Sequence, residues 1–531
     1  MFFKLDSIAL LGIDCLNISV EIHISNGLPS FTIVGLPDKA VNESRMRVRA
    51  AIINSGFKFP SKKIIINLSP ADIKKEGPFY DFPIAFSLLV VSGQIKHRDI
   101  LLLEKSSFIG ELSLDGMLNP VRGIISMTEA VIKAGKKLFF IPEQNMPQAS
   151  IIKNIHSQDF SIIGCKSLKE AVFLVCNSSE LKKRTFKVLH KKILPDQDCD
   201  PATETNNTGT DFSFIKGQLK AKRAVEVAAA GMHNIMLVGP PGAGKTMIAQ
   251  AINSILPDLD ETERIEVTKI YSILKNIKGG LIKRRPFRNP HHTITRAGLT
   301  GGGIIPKPGE VSLAHRGVLF LDEFSQFPRS LIEDLRQPIE NKEIIISRNS
   351  YFYRFPCSFM LVLATNPCSC GYNGDKKKEC KCSRREILKY WGKISGPIFD
   401  RIDIIVSMNR LEENDYLDFN MVFESSSEVK KRIYKCHFIQ KQRYVNDATG
   451  DKQYFHYNSE AGTKFINKWV YENKNLNSLI KESVKKFNLS SRAVSALIKI
   501  SRTIADLEEI PDIKDSHFME ALSYRINFNY E

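Results

Sequence analysis

No apolar stretch in this chain of 531 residues approaches the roughly twenty needed to cross a bilayer, which argues against a helical membrane span. The longest, Phe82 to Val91, reads instead as a helix buried in a core. No secretory leader is expected either. Asp6 interrupts what would be its hydrophobic region, so the chain reads as cytoplasmic. Without an oxidising destination the ten cysteines are expected to stay reduced, and any that cluster are candidates for a metal. Acidic residues are in short supply: 58 Asp and Glu face 75 Lys and Arg, a formal charge of +17 with an isoelectric point near 9.3. Such an excess points to a polyanionic partner, nucleic acid first, although a generally basic proteome leaves the same mark. The remainder is ordinary for a globular protein, with 43% hydrophobic and 25% charged residues. The length allows about two to four domains.

The most informative stretch ends an apolar run, Asn234 to Val238, in Gly239-Pro240-Pro241-Gly242-Ala243-Gly244-Lys245-Thr246. A strand, a glycine-rich turn closed by Lys-Thr and a following helical pattern make a P-loop for a nucleoside triphosphate. The glycines let backbone N–H groups point at phosphate oxygens at a helix N-terminus. Lys245 is suited to the β- and γ-phosphates and Thr246 to Mg²⁺. ATP and Mg²⁺ are the cofactors this implies.

Downstream, Gly317 to Leu321 is an apolar strand ending in Asp322 and Glu323. After a P-loop this reads as a Walker B strand, with Asp322 holding Mg²⁺ and Glu323 polarising the attacking water. A further strand, Phe359 to Thr365, ends in Asn366, whose amide can align that water or sense the γ-phosphate. Before it, Glu343–Ser347 and Ser350–Phe355 read as a hairpin turning at Arg348-Asn349 and bearing Arg354. Arg401 stands just before another apolar strand, placed either to reach a neighbouring subunit's γ-phosphate or to pair with Asp400 or Asp403.

Cys368-Ser369-Cys370 and Cys380-Lys381-Cys382 form two close thiol pairs around a loop with Gly371 and Gly374. They can converge on one tetrahedral S₄ site, for which zinc is the expected metal; reduced surface thiols are the other reading. Lys376, Lys377, Lys378, Lys381, Arg384 and Arg385 surround them, a surface suited to a phosphate backbone. Cys15, Cys165, Cys176, Cys199, Cys357 and Cys436 show no such spacing. Residues 176–211 read as a solvated linker with a basic run. Residues 412–531 read as a helical lid, in which Ser490 or Ser491 caps a helix carrying Arg492 in its first turn.

The front of the chain, residues 1–175, mixes strands (Ile8–Ile13, Ile18–Ile24, Ser30–Val34, Lys63–Leu68) with helices. It resembles the proteolytic domain of Lon-type proteases and its ribosomal-S5-like relatives. The resemblance rests on Lys75-Glu76-Gly77-Pro78-Phe79-Tyr80-Asp81 and on Gly110 to Ile125. Phe79 stands where such proteases carry the serine and Ile125 where they carry the lysine, so no peptidase chemistry is expected. Residues 212–411, through Arg285 to Thr293, Gly301-Gly302-Gly303 and Lys307 to Gly317, resemble the magnesium-chelatase-like AAA+ proteins. His291 and His292 lack a third ligand and read as loop structure. Nearly the whole chain is similar to the YifB/ComM family. The resemblance implies an α/β P-loop AAA+ core with a helical lid behind an α+β Lon/S5-like domain, with Asn366 as sensor 1, Arg401 as arginine finger and Arg492 as sensor 2. It also implies a homo-oligomeric ring, a hexamer, acting as a branch-migration helicase on branched or single-stranded DNA in recombination and natural transformation. A chelatase-type ATPase subunit and a protein-remodelling regulator are the rival readings.

Overall fold

The computed structural model describes residues 1–75, 77–95, 103–156, 160–177, 179–181, 183–184, 210–275, 277, 280–348, 351–411, 423–446 and 455–526. Glu76, residues 185–209 of the expected linker, Asn349 and Ser350 of the expected hairpin, and residues 412–422 at the expected start of the lid lie outside them. The chain divides into two compact units. One comprises Met1–Cys199, Glu261–Lys283 and Ile345–Phe355; the other comprises Asp200–Asp260, Arg284–Ile344 and Pro356–Glu531. The stretch expected as one ATPase core, 212–411, therefore has two segments grouped with the front unit, and the lid helices share a unit with the core.

The front unit is built on a seven-stranded sheet. Strand β1 (Phe2–Leu11) pairs antiparallel with β2 (Asp14–Ser25) through a turn at Gly12, whose φ of 67° suits glycine. β3 (Ser30–Val34) runs parallel to β4 (Lys63–Ser69), which lies antiparallel to β2. On the other side β5 (Ser106–Phe108), β6 (Leu138–Pro142) and β7 (Ser161–Cys165) add in parallel, giving β3–β4–β2–β1–β5–β6–β7. The Ile124–Lys133 helix crosses between β5 and β6, a βαβ unit. The Asp81–Val91 helix is buried along its whole length, as its unbroken apolar run requires. Its Phe86 stacks on Phe108 at 4.7 Å, and Phe108 on Phe140 at 4.3 Å. Asp81 is carried into this core only with a partner, the Arg47 guanidinium at 2.7 Å. Ile125 is fully buried in an apolar cluster against which Phe79 packs, so both residues face hydrocarbon.

The second unit holds a five-stranded parallel sheet of β8 (Ile235–Val238), β9 (Phe287–Arg288), β10 (Val318–Leu321), β11 (Met360–Thr365) and β12 (Ile404–Ser407), in the order β9–β10–β11–β8–β12. β8, β10 and β11 are buried throughout, as strands with both faces covered must be. Beyond it the chain is helical, with Ser426–Asn446, Ser491–Leu507 and Asp515–Ile526 packed on the same core. Ser490 is the cap, its Oγ accepting from the Ala493 N–H at 3.2 Å. Within Ser491–Leu507, Asp506 is buried between Arg502 (3.1 Å) and Arg443 (2.8 Å) and locks two of these helices together. Among the described residues no helix is long and apolar enough to cross a membrane.

Candidate active site

Because β8, β10 and β11 run parallel, their carboxyl ends deliver Gly239, Asp322 and Asn366 to one edge of the sheet. Ligands of open α/β sheets sit at such an edge. The P-loop turns there on Gly242 and Gly244, with φ of 81° and 86°. Nothing lies within 4 Å of a Cβ built on either, which leaves an open cradle. Gly239 has a different reason: a Cβ there would meet the Met408 carbonyl oxygen at 2.5 Å. The Pro240 carbonyl accepts from the Ala243 N–H at 3.2 Å and closes the turn.

Lys245 opens the Lys245–Ile255 helix and folds its ammonium back into the loop. Nζ donates to the carbonyls of Gly239 (2.5 Å) and Pro240 (3.0 Å) and to Asn366 Oδ1 (3.1 Å). Burial pushes this ammonium down to about 8, with Asp322 and Glu323 pulling the other way. Thr246 Oγ1 donates to Asp322 Oδ2 at 2.8 Å, and Asp322 Oδ1 accepts from the Glu323 N–H at 2.8 Å. Glu323 itself is exposed, at a left-handed φ of 47°. A positive φ on a glutamate is strained. The structure thus brings together P-loop, Walker B pair and Asn366. Gln218 joins them, donating to the Ala243 carbonyl at 3.2 Å from the residue just before the Leu219–Gly231 helix.

The four cysteines of the knuckle also converge. Cys368, Cys370, Cys380 and Cys382 have sulfurs within 4.8 Å of one another. The three pairs among Cys368, Cys370 and Cys380 lie at 3.3, 3.6 and 3.6 Å. A tetrahedron with Zn–S bonds of about 2.3 Å has edges of about 3.8 Å, so these thiols fit such an ion. Burial pushes the Cys380 thiol up to about 12. Against the opposing effect of burial, backbone N–H groups of Tyr372 and Lys381 help draw Cys370 down to about 6. The knuckle leans on the P-loop: a Cβ on Gly371 would meet Pro241 Cδ at 3.0 Å. The Arg384–Trp391 helix, closed by a Ser383–Glu386 capping box, follows it. Its Tyr390 hydroxyl lies 2.7 Å from Ser325 Oγ and 3.0 Å from Thr365 Oγ1, tying the knuckle to the strand ends that carry Asp322 and Asn366. Lys376, Lys377, Lys378, Lys381, Arg384 and Arg385 are all exposed.

Arg401 and Arg492 form a separate group. Arg401 is only 7% exposed, and it pairs with Glu340 rather than with Asp400 or Asp403. Asp403 is taken instead by the Asn234 N–H at 3.0 Å. Arg492, on the first turn of its helix, goes to the same Glu340 oxygen. Among the described residues neither arginine makes a hydrogen bond or ion pair with Lys245, Thr246 or Asp322. Against the opposing effect of burial, the Arg401 and Arg492 guanidiniums hold the Glu340 carboxyl below its ordinary range, while burial and the like charges of Arg492 and Arg336 push Arg401 down. Glu340 carries no sequence signal of its own, since it acts only where three distant segments meet.

His291 Nδ1 lies 2.9 Å from Thr293 Oγ1, within its own loop.

Residues 211–416 match the family described as magnesium chelatase, subunit ChlI. Residues 20–145 match subunit ChlI of Mg-chelatase, and residues 423–525 the ChlI C-terminal family. The chain is 37% identical to competence protein ComM of Haemophilus influenzae, over 97% of this chain and 96% of that protein. It is 38% identical to the uncharacterized protein YifB of Escherichia coli, again over 97% and 96%. The chain belongs to the YifB/ComM family of magnesium-chelatase-like AAA+ proteins. A weaker likeness of this YifB/ComM member, 24% identity over 39% of its length and 27% of the other's, is to the magnesium-chelatase 67 kDa subunit of Chlorobaculum parvum.

Proposed function

We propose that this protein hydrolyses ATP as a homo-oligomeric ring, a hexamer, and uses the turnover to move strands of branched or single-stranded DNA in recombination and natural transformation. The observation that carries the ATPase reading is the convergence of Lys245, Thr246, Asp322 and Asn366 at one sheet edge. The backbone from Gly239 to Thr246 and the Lys245 ammonium hold the phosphates. Thr246 and Asp322 would hold Mg²⁺, which supplies charge neutralisation at the β- and γ-phosphate oxygens. Glu323 takes the proton of the attacking water, and Asn366 orients that water. Arg401 and Arg492, both gathered on Glu340, serve the γ-phosphate of the next subunit.

The DNA reading draws on the charge of +17 and the exposed cations of the knuckle. It draws also on the Glu343–Arg348 and Tyr351–Pro356 hairpin, where Phe352 (62% exposed), Arg348 and Arg354 are exposed. Aromatic and guanidinium groups together suit a nucleic-acid strand. The name of the Haemophilus relative, a competence protein, agrees with it. The family descriptions and the Chlorobaculum relative favour a chelatase-type ATPase instead. Salt separates the two. DNA is expected to stimulate ATP turnover, and the DNA affinity read from that stimulation should fall at least about tenfold between roughly 50 and 200 mM salt, as phosphate contacts release counterions. No stimulation at any salt would favour the chelatase.

Zinc is assigned to Cys368, Cys370, Cys380 and Cys382. Elemental analysis of protein purified without chelator should find about one zinc per chain, because four-thiolate sites bind tightly. Metal-free protein with full activity would remove the assignment.

A further inference from the structure

Two stretches that interrupt the ATPase sequence, Glu261–Lys283 and Ile345–Phe355, group with the front unit rather than with the sheet whose strands flank them. Specific contacts seat both. Ile265 and Leu281 of the first enter the apolar cluster that contains Ile125 and Phe139. Gly123, at φ 71° just before the Ile124–Lys133 helix, donates its N–H to the Ser272 carbonyl at 3.1 Å. Gln148 Nε2 donates to the Ile277 carbonyl at 2.7 Å, and Lys269 pairs with Glu129 on the helix that carries Ile125. From the second stretch, the Tyr351 hydroxyl donates to Asp72 Oδ2 at 2.5 Å. Phe355 is fully buried, and a Cβ on Gly12 would meet its ring at 3.4 Å.

These contacts give the dyad-less fold a use. An isolated two-stranded hairpin is marginal in water and cannot bear load against a polyanion without a backing. Here the backing is the front unit, and the apolar cluster that includes Ile125 also seats the helical insertion. The connections are short. The Arg336–Asn341 helix, bearing Glu340, runs almost directly into the hairpin, and the hairpin into β11, which ends at Asn366. We propose that the front unit is the mount on which both motor insertions are carried as one body, and that it couples nucleotide turnover to the DNA engaged by the hairpin. This rests on the assignment of the hairpin to DNA.

Charge reversal at the Lys269–Glu129 pair tests it in the full-length protein. Lys269→Glu or Glu129→Lys is expected to cut DNA stimulation of ATP turnover at least about fivefold while leaving DNA-free turnover within about twofold, and the double reversal should recover part of it, since Glu129 also pairs with Lys133 at 2.8 Å. Hydrogen exchange over residues 261–283 should rise in the single variants and fall back toward the wild-type level in the double. Asp72→Ala, which removes the Tyr351 contact and a charge beside Lys75, should loosen exchange over 351–356 and lower DNA stimulation in the same sense. Undiminished stimulation in Lys269→Glu and in Asp72→Ala, where Arg348→Ala with Arg354→Ala has abolished it, overturns the mount and leaves the hairpin's DNA role standing. Undiminished stimulation in the Arg348→Ala, Arg354→Ala variant overturns the hairpin's role, and the mount with it.

Discussion

Glu323→Gln should bind ATP as the wild type does and cleave it about 10²–10⁴-fold more slowly, the usual effect of removing a general base. The geometry separates the two Walker B carboxylates. Asp322 accepts from Thr246, whereas Glu323 is exposed and accepts nothing from it. Glutamine preserves size and removes only the basic oxygen. Lys245→Ala should fail earlier. That ammonium is held among two carbonyls and the Asn366 amide, and burial has already lowered it to about 8. Phosphate would draw it fully charged, and its loss removes the main cationic contact to the nucleotide. Equilibrium ATP titration and steady-state phosphate release distinguish the two variants. Turnover near the wild-type rate in Glu323→Gln would strip that residue of its role.

Arg401→Ala should bind ATP and turn it over at least about 10³-fold more slowly, because transition-state charge goes uncompensated. Mixing it with Lys245→Ala subunits should restore activity. Under random equal mixing about a quarter of interfaces in a ring pair an intact P-loop with an intact arginine. Arg492→Ala should be rescued in the same way, since Arg492 shares the Glu340 oxygen with Arg401. An arginine that serves only its own subunit's fold gives no rescue on mixing.

That Lys245, Thr246, Asp322 and Asn366 meet at one sheet edge was legible because a glycine-rich turn between strand and helix, and carboxylates directly after an apolar strand, are local patterns. The knuckle was legible for the same local reason, close thiol pairs. The Asp81–Val91 helix declared itself by having no polar face. β1 was expected to start at Ile8, yet it begins at Phe2: Lys4 is exposed while Leu5 is buried, an alternation that only pairing with β2 explains. Glu340, Tyr390 and the seating of Glu261–Lys283 escaped the sequence because each depends on partners far away along the chain. Local chemistry left a mark in the sequence. Long-range packing did not.

In the proposed function, ATP turnover moves DNA strands. Its most direct test follows strand exchange on a labelled branched junction, with wild-type protein and ATP set against Glu323→Gln and against wild type without nucleotide. Strand movement with wild type and ATP alone is the predicted result. ATP hydrolysis by the wild type, at a rate DNA leaves unchanged and with the junction intact, would contradict it.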